Sequence, residues 1–198
     1  MLSSALPHTT DSLTRREALR RAALLLGVAF TPSILAAATG AAPTAGTAPV
    51  APAPALIAAE RAVVAAVAER LLPRTDTPGA LDAGVPEFID RLVGAYFTDA
   101  ERRTFREGVA ALDRESGSRA GGPFASRKPE QQDTLLASLA EDAVGRGTTF
   151  YSLVREATIV GYFTSELVGK TVLHYDPVPG RFDACIPISE VGNVAWTR

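Results

Sequence analysis

Thr148-Thr149-Phe150-Tyr151-Ser152-Leu153-Val154-Arg155-Glu156-Ala157-Thr158-Ile159-Val160-Gly161-Tyr162-Phe163 decides the fold class. Nine of these side chains are large or apolar: Phe150, Tyr151, Leu153, Val154, Ala157, Ile159, Val160, Tyr162 and Phe163. At a period of 3.6 they leave no polar face. Such a helix is the buried centre of a domain, or is half buried and half covered by a partner chain. Upstream, residues 129–141 put Leu135, Leu136 and Leu139 on one face, and Gly145 and Gly147 follow as a break. Val85, Phe88, Ile89, Leu92, Val93 and Tyr96 recur at i, i+3, i+4, i+7, i+8 and i+11, with Pro86 in the first turn.

Thr98-x-x-Glu101 reads as a capping box opening a further helix, with Phe105, Val109 and Leu112 turned inward. Residues 114–128 are polar and glycine-rich and read as a surface loop. A first helix over residues 56–72 carries Leu56, Val63, Val64, Val67 and Leu71 on one stripe and stops at Pro73. Glu60 shares that stripe in the first turn, where a carboxylate suits the helix dipole. Residues 73–79 form a dense turn cluster. No alternating run of useful length suggests strands. The expected class is mostly α: a small bundle of about five helices over residues 55–175, packed around the buried 148–163 helix.

Composition narrows function. The chain has 198 residues, 46% of them hydrophobic and 21% charged, which suits one packed domain. A formal charge of −2 argues against a dedicated nucleic-acid binder. One Cys and two His cannot build a four-cysteine, two-cysteine–two-histidine or three-histidine zinc site, nor an iron–sulfur cluster held by this chain alone. No G-x-G-x-x-G follows a strand and no G-x-x-x-x-G-K-[ST] occurs, so no nucleotide or flavin site is expected here.

The N-terminus reads as an address. Arg15, Arg16, Arg20 and Arg21 precede an apolar run over residues 22–30; Pro32 breaks it, and Ala36-Ala37-Ala38 offers small residues to a signal peptidase. Paired Arg15 and Arg16 suggest the twin-arginine route, although Ala18 stands where Phe is commoner. The run is far shorter than the ~20 residues of a spanning helix, so export to the periplasm is expected over membrane anchoring. Without residues 1–38 the chain loses Arg15, Arg16, Arg20, Arg21, Asp11 and Glu17, leaving 16 basic and 20 acidic residues. Residues 39–54 are rich in Ala and Pro, carry no charge, and read as a disordered tether.

The other end is of another kind. Residues 176–198 hold Pro177, Pro179 and Pro187 among Phe182, Ile186, Ile188 and Trp196. The prolines forbid a long helix, yet the segment is too apolar for a solvated tail. An extended arm of this composition lies on its own helices or on a second chain. Cys185 sits within it. In an exported protein a lone Cys points to an interchain disulfide or a free thiol, while a buried Cys also serves as a small hydrophobe.

Two polar groupings could carry chemistry. Ser165, Glu166, His174 and Asp176 lack the nucleophile elbow G-x-S-x-G, so no catalytic residue is assigned. Arg74, Asp76 and Asp82 lie in the turn cluster, where Asp76 and Thr75 stabilise turns through their own backbone.

Leu72-Pro73-Arg74-Thr75-Asp76-Thr77-Pro78-Gly79-Ala80, Ala83-Gly84-Val85-Pro86-Glu87-Phe88-Ile89, Gly161-Tyr162-Phe163-Thr164-Ser165-Glu166 and the arm from Tyr175 to Cys185 stand here in an order and spacing that resembles the gluconate 2-dehydrogenase subunit 3 family. The resemblance runs from about Ala55 to the C-terminus, and the family pattern includes a twin-arginine signal. It implies a non-catalytic small subunit without cofactor or metal of its own. Its partner would be an FAD-dependent dehydrogenase of the glucose–methanol–choline type, and a multihaem cytochrome c subunit would carry haem c. Membrane association would come only through that complex. The small chain would bind the flavoprotein and supply the export address for both. An independent periplasmic helical enzyme and a free-standing scaffold protein are the competing readings. The first would turn over a substrate alone; the second would purify as a soluble monomer.

Overall fold

Helix starts are written in short polar side chains and glycines. Ala58–Leu71 (α1) begins where the Glu60 carboxylate accepts the Ile57 N–H at 2.9 Å. Val85–Ala95 (α2) follows Gly84, whose φ of +70° is open to glycine without a Cβ penalty. Asp99–Ala120 (α3) opens on the expected capping box: Thr98 Oγ1 accepts the Glu101 N–H at 3.3 Å, and Glu101 accepts the Thr98 N–H at 2.7 Å. Pro129–Ala143 (α4) has its proline in the first turn. Phe150–Phe163 (α5) is capped by Thr149, which exchanges hydrogen bonds with Ser152. Ser165 starts a last short helix, Glu166–Thr171 (α6).

The computed structural model describes residues 33–34, 54–173, 175 and 187–191. Chain contacts part between Thr31 and Pro32, and every described residue belongs to the unit Pro32–Arg198. The described residues form α-helices and short 3-10 turns, with no strand. The all-helical bundle expected from periodicity is what forms. No helix among the described residues is long and apolar enough to cross a membrane.

As predicted, α5 is the central helix, touching each of the other five. It buries Phe150, Leu153, Val154, Ala157, Thr158, Gly161 and Tyr162. Thr158 is the polar exception, and its hydroxyl donates to the Val154 carbonyl at 2.7 Å, so no hydrogen bond is forfeited. Val63, Val64 and Val67 of α1 and Ile89, Leu92 and Val93 of α2 close over it with Phe105, Val109 and Leu112 of α3. Two glycines let helices approach closely. A Cβ on Gly108 would stand 2.2 Å from the Phe150 Cβ, and one on Gly161 would stand 2.7 Å from Phe88 Cδ1. Each phenylalanine thus rests on the bare backbone of a neighbouring helix.

The polar stretch at 114–128 is not the surface loop expected. Helix α3 continues through it to Ala120 and ends at Gly121, with φ +79°. A segment after the helix holds this end together. Arg127 Nη2 donates to the carbonyls of Ser116 (3.2 Å) and Gly122 (2.8 Å), and its Nε donates to Ser116 Oγ. Phe124, in the turn Phe124–Ser126, is fully buried. Its N–H donates to Asp113 and its carbonyl accepts from the buried Gln132 amide. Local polarity hid a core anchor.

Candidate partner-binding surface

The C-terminal end of α5 meets the 73–84 turn. Tyr162, buried, donates its phenol O–H to the Pro78 carbonyl at 2.8 Å. Within the turn, Arg74 grips Asp82 through both Nε and Nη2. Asp82 also accepts the Gly79 N–H at 2.9 Å. The Arg74 hydrogen bonds, and then the Gly79 N–H, hold the Asp82 carboxyl below its usual carboxylate range. Asp76 stays local, accepting from the Thr75 hydroxyl. Of the three charged residues weighed in this turn, the fold brings together two, and their role is to shape it.

Ser165 and Glu166 are likewise committed to structure. Ser165 Oγ accepts the Val168 N–H and donates to the Tyr162 carbonyl, as the cap of α6. Glu166 pairs with Lys170 one turn on, which lowers its carboxyl pKa. His174 and Asp176 lie outside the described residues. A cleft of about 170 Å³ between α3 and α4 is lined by Ser116, Arg119, Arg127, Gln131, Thr134 and Leu135. Arg119 is paired with Glu115, and Arg127 is spent on the carbonyls that end α3. Among the described residues, no group of three or more His, Cys, Asp or Glu side chains is placed to hold a metal.

What this end of the molecule does offer is apolar surface. Phe163 is 48% exposed, Leu167 37% and Tyr175 59%. Phe163 is the last residue of α5, stacked edge-to-face on Tyr162 with ring centroids 5.2 Å apart. Leu167 follows in α6. The Tyr175 N–H returns to the Gly169 carbonyl at 2.8 Å, which holds the start of the arm beside that helix. Leu81, 48% exposed, stands in the turn that Tyr162 anchors. Phe163 and Leu167 stand on either side of the junction between α5 and α6, and exposed side chains of this size are candidates for a partner's contact surface. The sequence points to the arm and to the all-apolar helix that ends at Phe163, and singles out neither Leu167 nor Leu81. The all-round apolar character of α5 is the signal for Phe163; Leu167, in α6, and Leu81, in the turn, carry none.

Of the residues expected to make the interface, Phe182, Ile186 and Trp196 lie outside the described residues, as do Cys185 and the leader pair Arg15 and Arg16. Ile188 opens a short 3-10 turn, Ile188–Val191.

Compared with known proteins, no curated protein and no solved structure matches this chain. The family model for gluconate 2-dehydrogenase subunit 3 matches residues 58–180, from the first residue of α1 through α6 and into the arm. The chain belongs to the gluconate 2-dehydrogenase subunit 3 family, the small accessory subunits of a dehydrogenase complex.

Proposed function

We propose that this protein is the non-catalytic escort and structural subunit of a periplasmic, FAD-dependent sugar or polyol dehydrogenase. The large flavoprotein partner carries FAD and the catalytic site, and a cytochrome subunit carries haem c. The small subunit binds the flavoprotein before export and lends it the twin-arginine address, because that route carries folded cargo. The family match through all six helices carries this reading. Arg15 and Arg16 in the leader, and apolar side chains at the arm end of α5, support it.

Binding would be driven by covering Phe163, Leu167, Tyr175 and the arm, at about 25 cal/mol per Å² of apolar surface before ordering costs are subtracted. The test is genetic. Replacing Arg15 and Arg16 together by Ala is expected to leave the unaltered flavoprotein in the cytoplasm, scored by fractionation and dehydrogenase activity. Normal export of the flavoprotein beside that variant would end the escort reading.

A further inference from the structure

Ser33 and Ile34 stand in the stretch read as leader, separated from Ala36-Ala37-Ala38 by Leu35 alone, yet they pack as core. Ile34 has no exposed surface and joins the hydrophobic cluster of the bundle. Ser33 is 9% exposed, and its hydroxyl donates to Glu101 Oε2 at 2.7 Å. That oxygen also accepts the Thr98 N–H at 2.7 Å and the Thr98 hydroxyl at 2.8 Å, so Ser33 is tied into the cap that opens α3. The far side of the tether is fixed to the same helix. Arg106 Nη2 donates to the Ala55 carbonyl, and Asp90 of α2 accepts the N–H groups of Ala55 (3.2 Å) and Leu56 (2.8 Å). Residues 35–53 are therefore bounded by one anchor at the start of α3 and a second made by Arg106 of α3 and Asp90 of α2.

We infer that the bundle carries an intramolecular docking site for its own leader, occupied by Ser33 and Ile34, and that docking and removal of the leader compete. The inference rests on reading residues 1–38 as a leader cut after Ala38. A residue spans at most about 3.6 Å of chain, so Ala36 stands no more than ~7 Å from the Ile34 Cα. A peptidase needs exposed backbone on both sides of its cut. While Ile34 is seated, a buried core side chain lies only four residues along the chain from the cut after Ala38. Cleavage then samples only molecules in which Ile34 has withdrawn, and its rate follows the population of that open form.

The test uses the unprocessed full chain and elastase, whose small specificity pocket accepts alanine. Cleavage after Ala36, Ala37 or Ala38 is measured against cleavage after Ala41 and Ala42 in the same molecule. The Ile34→Val variant is expected to raise that ratio a few-fold and Ile34→Ala by roughly tenfold or more, following the apolar contact removed. Ser33→Ala is expected to raise it less than Ile34→Ala. A ratio that stays level across the series overturns the docking site. If Ile34→Ala loses its helical circular dichroism, the Val and Ser33 variants decide the matter alone. Because no export machinery is involved, a level ratio would leave the escort reading standing, and a failed export test would leave the docking site standing.

Discussion

The two ends of α5 are built from the same kinds of residue and put to opposite use. At its N-terminal end Phe150 lies over Gly108 and stacks edge-to-face on Phe105, with centroids 5.4 Å apart; Phe105 stacks in turn on Phe97 at 5.7 Å. Phe97, Phe105 and Phe150 are all buried there. At the C-terminal end the backbone at Gly161 receives Phe88, and Tyr162 is tied to the 73–84 turn, but Phe163 and Leu167 face water. One end closes the fold. The other holds its geometry with hydrogen bonds while keeping apolar surface in reserve, as a subunit of a larger complex must.

Breaking the closed end should have the largest effect. Phe150→Ala is expected to cost about 3–5 kcal/mol in urea unfolding, since the glycine beneath it cannot fill the space left. A loss below about 1 kcal/mol would mean that Phe150 does not seal this end. A smaller effect is expected in the turn that supports the open end, where Asp82 is held below its ordinary pKa by Arg74 and the Gly79 N–H. For a carboxylate lowered on folding, the stabilisation is complete above its unfolded pKa of about 3.9 and fades as pH falls through the lower, folded value. Asp82→Asn should therefore melt below the native protein at pH 7, and the gap should close in acid; a gap independent of pH would assign the loss to shape instead of charge. The smallest stability effect is expected at the open end itself. Phe163→Ser with Leu167→Ser should stay within about 0.5 kcal/mol of the native protein. The same double variant should recover several-fold less flavoprotein on co-purification, and full recovery would remove this patch from the interface.

Where the sequence proved legible, the reason is local chemistry. The 3.6-residue recurrence from Val85 to Tyr96, the Thr98–Glu101 box and the stop at Pro73 each depend on residues within a few positions of one another. The stretch around residues 114–128 misled for the complementary reason. Its helix end is completed by Arg127, its anchor Phe124 is isolated among polar neighbours, and its partners Asp113 and Gln132 are 11 and 8 residues away. Of the candidate surface, the arm is an expectation from its prolines and apolar side chains, and most of it lies outside the described residues. The exposure of Leu167 and Leu81 was not legible, because exposure depends on which faces the other helices leave uncovered.

By itself the sequence determined that this protein is helical, that α5 lies at the centre, and that no nucleotide-binding motif is present, since periodicity, caps and composition are properties of neighbouring residues. Only the tertiary structure decided that Gly108 and Gly161 are seats for phenylalanines, that Phe163 and Leu167 remain open, and that Ser33 and Ile34 are held against α3. Those outcomes depend on how closely separate helices approach and on which apolar groups find a neighbour, and a pattern along the chain carries neither.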